Sequence, residues 1–180
     1  AAEGLSPNPP FSIQQRDGTF WLVRPNGERF FSFGVCCVNQ GVSRDEFDSA
    51  NPGYASWQHY ADSNRWADAT VKRLKTWGFT TAGGWSDFHA LRHSRAADLA
   101  FAPVLHIGAT AGAPWWDMWD AKLVARMDEV AREQILPLRG DPRLLGYYSD
   151  NEIGWWNAIL FEMTLQQPAT SGQRKRLLEL

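Results

Sequence analysis

From Phe30 to Val38 the chain reads FFSFGVCCV, with one serine and no alternation of apolar and polar positions. A strand with one wet face alternates with a period of two. A run that does not alternate is buried on both faces, as in a parallel sheet covered by helices. Parallel strands need long crossovers, so this run already demands helical segments downstream.

The rest of the chain supplies them. A helix is expected over Ser63–Trp77, where Trp66, Thr70, Leu74 and Trp77 recur at helical spacing, Val71 widens the stripe, and Gly78 is placed to stop it. Phe79–Gly83 reads as a strand, His89–Leu99 as a short helix and Phe101–Ile107 as a strand. Gly108–Asp120 reads as a loop, and Asp120 caps a helix with Leu123, Val124, Met127, Val130 and Ile135 on one face. Leu144–Tyr148 is the next strand, and Trp155–Leu180 a helical tail broken near Pro168 and Gly172. Strand and helix in strict alternation give an α/β fold with a parallel sheet. Before this series lies a hairpin. Phe11–Gln15 and Phe20–Arg24 flank the turn Arg16-Asp17-Gly18-Thr19, and Pro25-Asn26-Gly27 turns the chain into a third strand, Arg29–Val38. The Pro-rich residues 1–10 form an extended lead-in, and Gln40–Asp62 is a long aperiodic loop of the kind that carries function.

Charge and composition remove several function classes. Eighteen Lys+Arg against twenty Asp+Glu leave no basic surface for a phosphate backbone, so no nucleic-acid partner is expected. No apolar stretch approaches the ~18 residues of a membrane span, so no membrane partner is expected. Cys36 and Cys37 are neighbours, which disfavours an ordinary disulfide between them. Gly108-Ala109-Thr110-Ala111-Gly112 lacks the spacing and the Lys of a phosphate-binding loop. No cofactor and no metal are expected. His89 and His93 stand at i, i+4, but no glutamate follows His89 and both read as solvated. Asp87, Asp150 and Glu152 could as a set hold a hard cation, but their aromatic surroundings suit a sugar better.

In βα architectures the residues just after each strand gather at one end of the sheet. Here those positions hold Asn39, then Trp85, Ser86 and Asp87, then His106, then Asp150, Asn151 and Glu152. Trp115, Trp116, Trp119, Trp155 and Trp156 lie in the same loops. Indoles stack on the CH faces of sugars, while amides and carboxyls fix the hydroxyls. A carbohydrate site is the expectation, with substrate-binding roles for Asn39, Trp85, Asp87, His106, Trp115, Trp116, Asp150, Asn151 and Trp155. Of each adjacent tryptophan pair, one ring is expected to pack inward. Trp66 and Trp77, on the helix stripe, are expected in the core.

Two stretches carry a resemblance. Gly146-Tyr147-Tyr148-Ser149-Asp150-Asn151-Glu152 resembles the fourth-strand motif of clan A glycoside hydrolases, in which an Asn-Glu pair ends the strand. Residues 73–87, RLKTWGFTTAGGWSD, resemble strand 2 of family 50, the β-agarases, and the hairpin with its Phe31–Val35 continuation resembles the approach to many such barrels. The resemblance spans most of residues 11–165. It implies a (β/α)8 barrel of the TIM type and a retaining mechanism, with Glu152 as catalytic acid/base and Asn151 on a sugar hydroxyl. It also implies an agarase- or β-galactosidase-like polysaccharide or oligosaccharide substrate.

The chain departs from that pattern in length. A retaining enzyme needs two carboxylates ~5–5.5 Å apart, and a barrel takes ~250 residues. Four strands are visible, and Glu162 and Glu179 match no nucleophile motif. The expected organisation is therefore a lead-in at 1–10, a β-hairpin at 11–28, and the N-terminal half of a glycosidase barrel at 29–180. The missing C-terminal half would be a partner supplying the nucleophile, and the segment alone would be inactive. A non-catalytic carbohydrate-binding protein related to such enzymes is the alternative. A polysaccharide substrate implies an extracellular or periplasmic location, and Ala1-Ala2 suits a mature N-terminus.

Overall fold

The computed structural model describes residues 11–96, 98–111, 117, 119–152 and 158–180. The fold is mixed α/β, with a small antiparallel sheet and a parallel sheet. The chain separates into two compact units. One comprises the residues up to Pro103 together with Gly140–Gly146, the other Val104–Arg139 with Tyr147–Leu180.

The first unit opens with strands β1 (Ser12–Arg16) and β2 (Thr19–Val23), paired antiparallel with Arg16 opposite Thr19. Asp17 and Gly18 both have positive φ (53° and 76°), as a two-residue hairpin whose turn follows the strand twist requires. Strand β3 (Arg29–Phe30) adds to β2. Arg24 lies over the Phe30 ring at 4.4 Å and reaches Asp98 at 2.6 Å.

The single third strand expected over Arg29–Val38 is two strands in two sheets. After β3 the chain breaks and resumes as β4 (Gly34–Val35) in the parallel sheet. The Thr80 hydroxyl fills the break, donating to Phe31 O (2.7 Å) and accepting from Phe33 N–H (2.8 Å). Nor is the run buried throughout: Phe31 is 76% exposed, and Phe33 stacks on Phe79 at 4.8 Å. Strands β5 (Thr81–Ala82) and β6 (Ala100–Phe101) follow, in the order β4-β5-β6, all parallel. Phe101 bridges onward to Leu144, its N–H donating to Arg143 O and its carbonyl accepting from Leu145 N–H, both at 2.9 Å. Four chain segments thus lie side by side in sequence order.

Helix α1 (Ser63–Thr76) crosses between β4 and β5. The Asp62 carboxylate caps it through Arg65 N–H. Its stripe packs as expected at Trp66, Thr70, Val71 and Leu74, and these meet Ala82, Leu91, Leu99 and Phe101 in the core. Trp77 is the exception. It is the C-cap residue, 62% exposed, because the chain reverses at Gly78 (φ 86°). Phe79 N–H returns to Leu74 O and Gly78 N–H to Lys75 O, which closes the helix end.

Helix α2 is one turn, Phe88–Leu91, rather than the expected His89–Leu99. The Asp68 carboxylate on α1 takes Ser94 Oγ–H (2.7 Å) and Arg95 N–H (3.0 Å), pulling the chain out of helical form. His93 consequently lies beyond the helix, and both it and His89 are exposed.

The strand expected over Phe101–Ile107, whose residues divide between the two units at Pro103, does not run through. Val104 forms an isolated parallel bridge with Tyr148, and Ile107 already begins helix α3 (Ile107–Thr110). Pro103 cannot donate to a ladder, which accounts for the interruption. The expected strand Leu144–Tyr148 is likewise represented only by bridges at its two ends. Helix α4 (Ala121–Ile135) is capped by Asp120 as expected, through Lys122 and Leu123 N–H. Of its apolar face only Val130 is fully buried, and Val124 is exposed. Helices α5 (Ile159–Gln166) and α6 (Gly172–Leu178) form the tail, parted at Pro168. Asp117 ties α6 down, accepting from Ser171 Oγ–H (2.8 Å) and from Gln173 N–H (3.1 Å). Among the described residues no helix is long and apolar enough to cross a membrane.

Candidate functional site

In the first unit, the chain after β4 is knitted to the chain after β5. Cys37 N–H donates to Gly84 O (2.9 Å), Asp87 N–H to Val38 O (2.8 Å) and Val38 N–H to Ser86 Oγ (3.2 Å). The Asp87 carboxylate is already engaged at both oxygens. One caps α2 through Ala90 N–H (3.1 Å), and the other accepts from the Gln40 side-chain amide at 2.6 Å. Asp87 is thus a brace that joins the two strand ends through Gln40. Asn39 is exposed and folds its amide over its own turn, accepting from Gly41 N–H and donating to Cys37 O. Trp85 stands half-exposed at the same edge.

In the second unit, His106 occupies the N-cap position of α3 but supplies no side-chain cap. Asp150 supplies it instead, its carboxylate accepting from Gly108 N–H (2.8 Å) and Ala109 N–H (3.4 Å). Ile107 N–H donates to Ser149 O (3.0 Å) and Leu105 N–H to Tyr148 O (2.9 Å), which fixes the approach of both segments. Asp150 therefore holds the turn that carries the next two side chains, Asn151 and Glu152, both exposed. Trp115, Trp116, Trp155 and Trp156 lie outside the described residues. Trp119 is exposed, and its N–H donates to Asp117.

One backbone feature recurs in both units. Cys37, Trp85, His106 and Glu152 all have left-handed φ, between 45° and 59°. Each comes two to four residues after one of the four parallel segments, past Val35, Ala82, Val104 and Tyr148. A non-glycine residue in this region costs of order 1–3 kcal/mol, and such residues gather at functional sites. Three of the four, Trp85, His106 and Glu152, are among the residues that the sequence singles out. Cys37 and Gln40 are not. Gln40 lay hidden because its partner, Asp87, is 47 positions away. Among the described residues no group of three His, Cys, Asp or Glu side chains could hold a metal.

β-Agarase A of Vibrio sp. (strain JT0107) is 29% identical to this chain over an aligned length, gaps included, of 197 residues that takes in 81% of the chain. β-Agarase B of the same strain is 29% identical over an aligned length of 212 residues that takes in 82% of the chain. The chain is related to the β-agarases. It spans about a fifth of the length of these β-agarases, 20% and 22% respectively. The crystal structure of BpGH50 shares its fold, with a TM-score of 0.68 over 99% of this chain and 43% of that one, at 18% identity. No family model matches the chain.

Proposed function

We propose that the chain is part of a retaining glycoside hydrolase of the β-agarase kind, cutting O-glycosidic bonds in an agarose-like or β-galactoside-containing polysaccharide or oligosaccharide. The observation that carries this reading is the match to β-agarases A and B over four-fifths of the chain, together with an Asn-Glu pair directly after the fourth parallel segment. Four parallel segments in sequence order are what the first half of a (β/α)8 barrel requires. The hairpin at 11–28 leads into that half, which occupies 29–180.

Glu152 is the general acid/base. It protonates the leaving glycosidic oxygen, then deprotonates the water that releases the sugar. Asn151 binds a hydroxyl of the sugar being transferred. Trp85 and the tryptophans of the loops after the third and fourth segments, Trp115, Trp116 and Trp155, offer stacking surfaces. Asn39 and Asp87 in the first unit, and His106 and Asp150 in the second, are the further substrate-binding residues of this reading, with Asp87 and Asp150 acting through the loops they hold. The nucleophilic carboxylate comes from sequence outside these residues, so the segment alone is inactive. Acting on polysaccharide places the enzyme outside the cytoplasm.

The test is Glu152→Gln in the complete protein. Hydrolysis of a galactan, whose leaving group needs protonation, falls ~10²–10⁴-fold. A substrate with an acidic leaving group is cleaved at its first step with far less loss. An unchanged rate on the galactan overturns the assignment.

A further inference from the structure

Helix α1 turns its buried stripe to the core, and its opposite face carries Arg65, Asp68, Ala69 and Lys72, spaced i, i+3, i+4 and i+7. With Tyr60, Arg95 and Ala96 these residues line a cleft of about 480 Å³ within the first unit. Three cations face one carboxylate there. Among the described residues neither Arg65, Lys72 nor Arg95 forms a salt bridge. The Asp68 carboxylate accepts from Ser94 Oγ–H and Arg95 N–H at one oxygen, and these bonds hold its carboxyl below the usual range with help from the Arg95 and Arg65 charges. That contact also sets Arg95 at the cleft. Tyr60 is anchored by Arg73, whose guanidinium donates to its hydroxyl at 3.2 Å.

We propose that this cleft is a second carbohydrate site, one that takes a saccharide chain bearing anionic groups, either sulfate esters or uronate carboxylates. Arg65 and Lys72 lie two helical turns apart, about 10 Å along the axis. A single small anion cannot span that distance, whereas charges repeated along a polymer can. Tyr60 lines the cleft with Arg65 and Lys72, an aromatic side chain of the kind that meets sugar CH groups, and Ala69 adds little bulk there. The choice of a saccharide rests on the glycosidase reading, but none of the residues that line the cleft is among those proposed for catalysis or substrate binding. Its function would be to hold the enzyme on charged stretches of a partly substituted galactan.

The test measures binding of three hexasaccharides to the full chain by calorimetry: a sulfated galactan, an oligogalacturonate and a neutral agaro-oligosaccharide. The sulfated probe binds, more tightly as salt falls. The triple change Arg65→Ala, Lys72→Ala, Arg95→Ala weakens it on the order of tenfold, as three exposed charge contacts imply. Exchanging cation for cation (Arg65→Lys, Lys72→Arg, Arg95→Lys) keeps most of the affinity. Equal binding of the oligogalacturonate assigns the site to charge of either kind, and its failure to bind assigns it to sulfate. Equal binding of the sulfated probe by wild type and triple alanine variant overturns the cleft, as does an equal loss in the cation-for-cation variant. The neutral probe, and hydrolysis by the complete protein, report on the glycosidase reading separately, since neither should respond to the cleft variants.

Discussion

Gly41 and Gly78 both hold left-handed φ, 74° and 86°, yet their surroundings differ completely. A Cβ on Gly78 would meet nothing within 4 Å, whereas one on Gly41 would sit 1.9 Å from the Tyr54 carbonyl oxygen. The Gly78→Ala variant therefore bears only the left-handed cost, about 1 kcal/mol. Gly41→Ala must also break the Gly41–Ala55 bridge, and with it the loop that Trp57 closes by donating its indole N–H to Val42 O. Urea unfolding should show Gly41→Ala losing well beyond ~2 kcal/mol. A loss equal to that of Gly78→Ala would mean that the Gln40–Asp62 loop adapts freely. At this scale the sequence disclosed where the candidate residues stand along the chain's strands, not what their side chains bond to. Asn151, Glu152 and Trp85 stand at strand ends as their positions imply. Asp87 and Asp150, read as sugar ligands, are found bonded to backbone N–H groups, because a carboxylate beside a helix start is captured by the orphan donors there.

At the scale of elements, the tail depends on Asp117. Burial works against its charged form, but bonds from Ser171 Oγ–H and the N–H groups of Gln173, Trp119 and Gly172 outweigh that, and the carboxyl titrates below its ordinary range. A carboxylate depressed in the folded state stabilises above its unfolded pKa, and that contribution is lost as pH falls through the folded value. Asp117→Asn should therefore cost about 1 kcal/mol at neutral pH and progressively less below pH ~4. Thermal melts across that range check it, and a difference that does not shrink with acid would remove the charge from the account. Helix α1 was legible because its stripe lies within it and its stop, Gly78, directly follows its end. Helix α2 was not, because Asp68, which cuts it short, belongs to another helix. The split at Phe31–Phe33 was equally hidden, since Thr80, whose hydroxyl bridges it, lies 47 residues beyond Phe33.

At the scale of the molecule, the buried cluster of the first unit joins Trp66, Val71 and Leu74 to three strands' worth of side chains. The second unit buries fewer large residues among those described, chiefly Leu105, Val130 and Leu138. Local opening follows such differences. Amide hydrogen exchange should find α1 the slowest helix and α5 with α6 among the fastest. Trp66→Ala should cost ~3–5 kcal/mol, and slower exchange in α6 than in α1 would refute the ranking. The order of parallel segments was readable from alternation of strand and helix alone. Their shortness was not, because each strand's length depends on a neighbour that the local sequence does not contain.

The four left-handed residues at the strand ends also bear on how this protein would respond to selection. Glycine relieves the conformational cost at each of Cys37, Trp85, His106 and Glu152 by about 1 kcal/mol. A screen rewarding heat resistance alone should therefore enrich glycine at these positions, whereas, on the glycosidase proposal, a screen rewarding turnover by the complete protein should purge it from Glu152 first. Run side by side, the two screens would sort the four residues by what their side chains contribute.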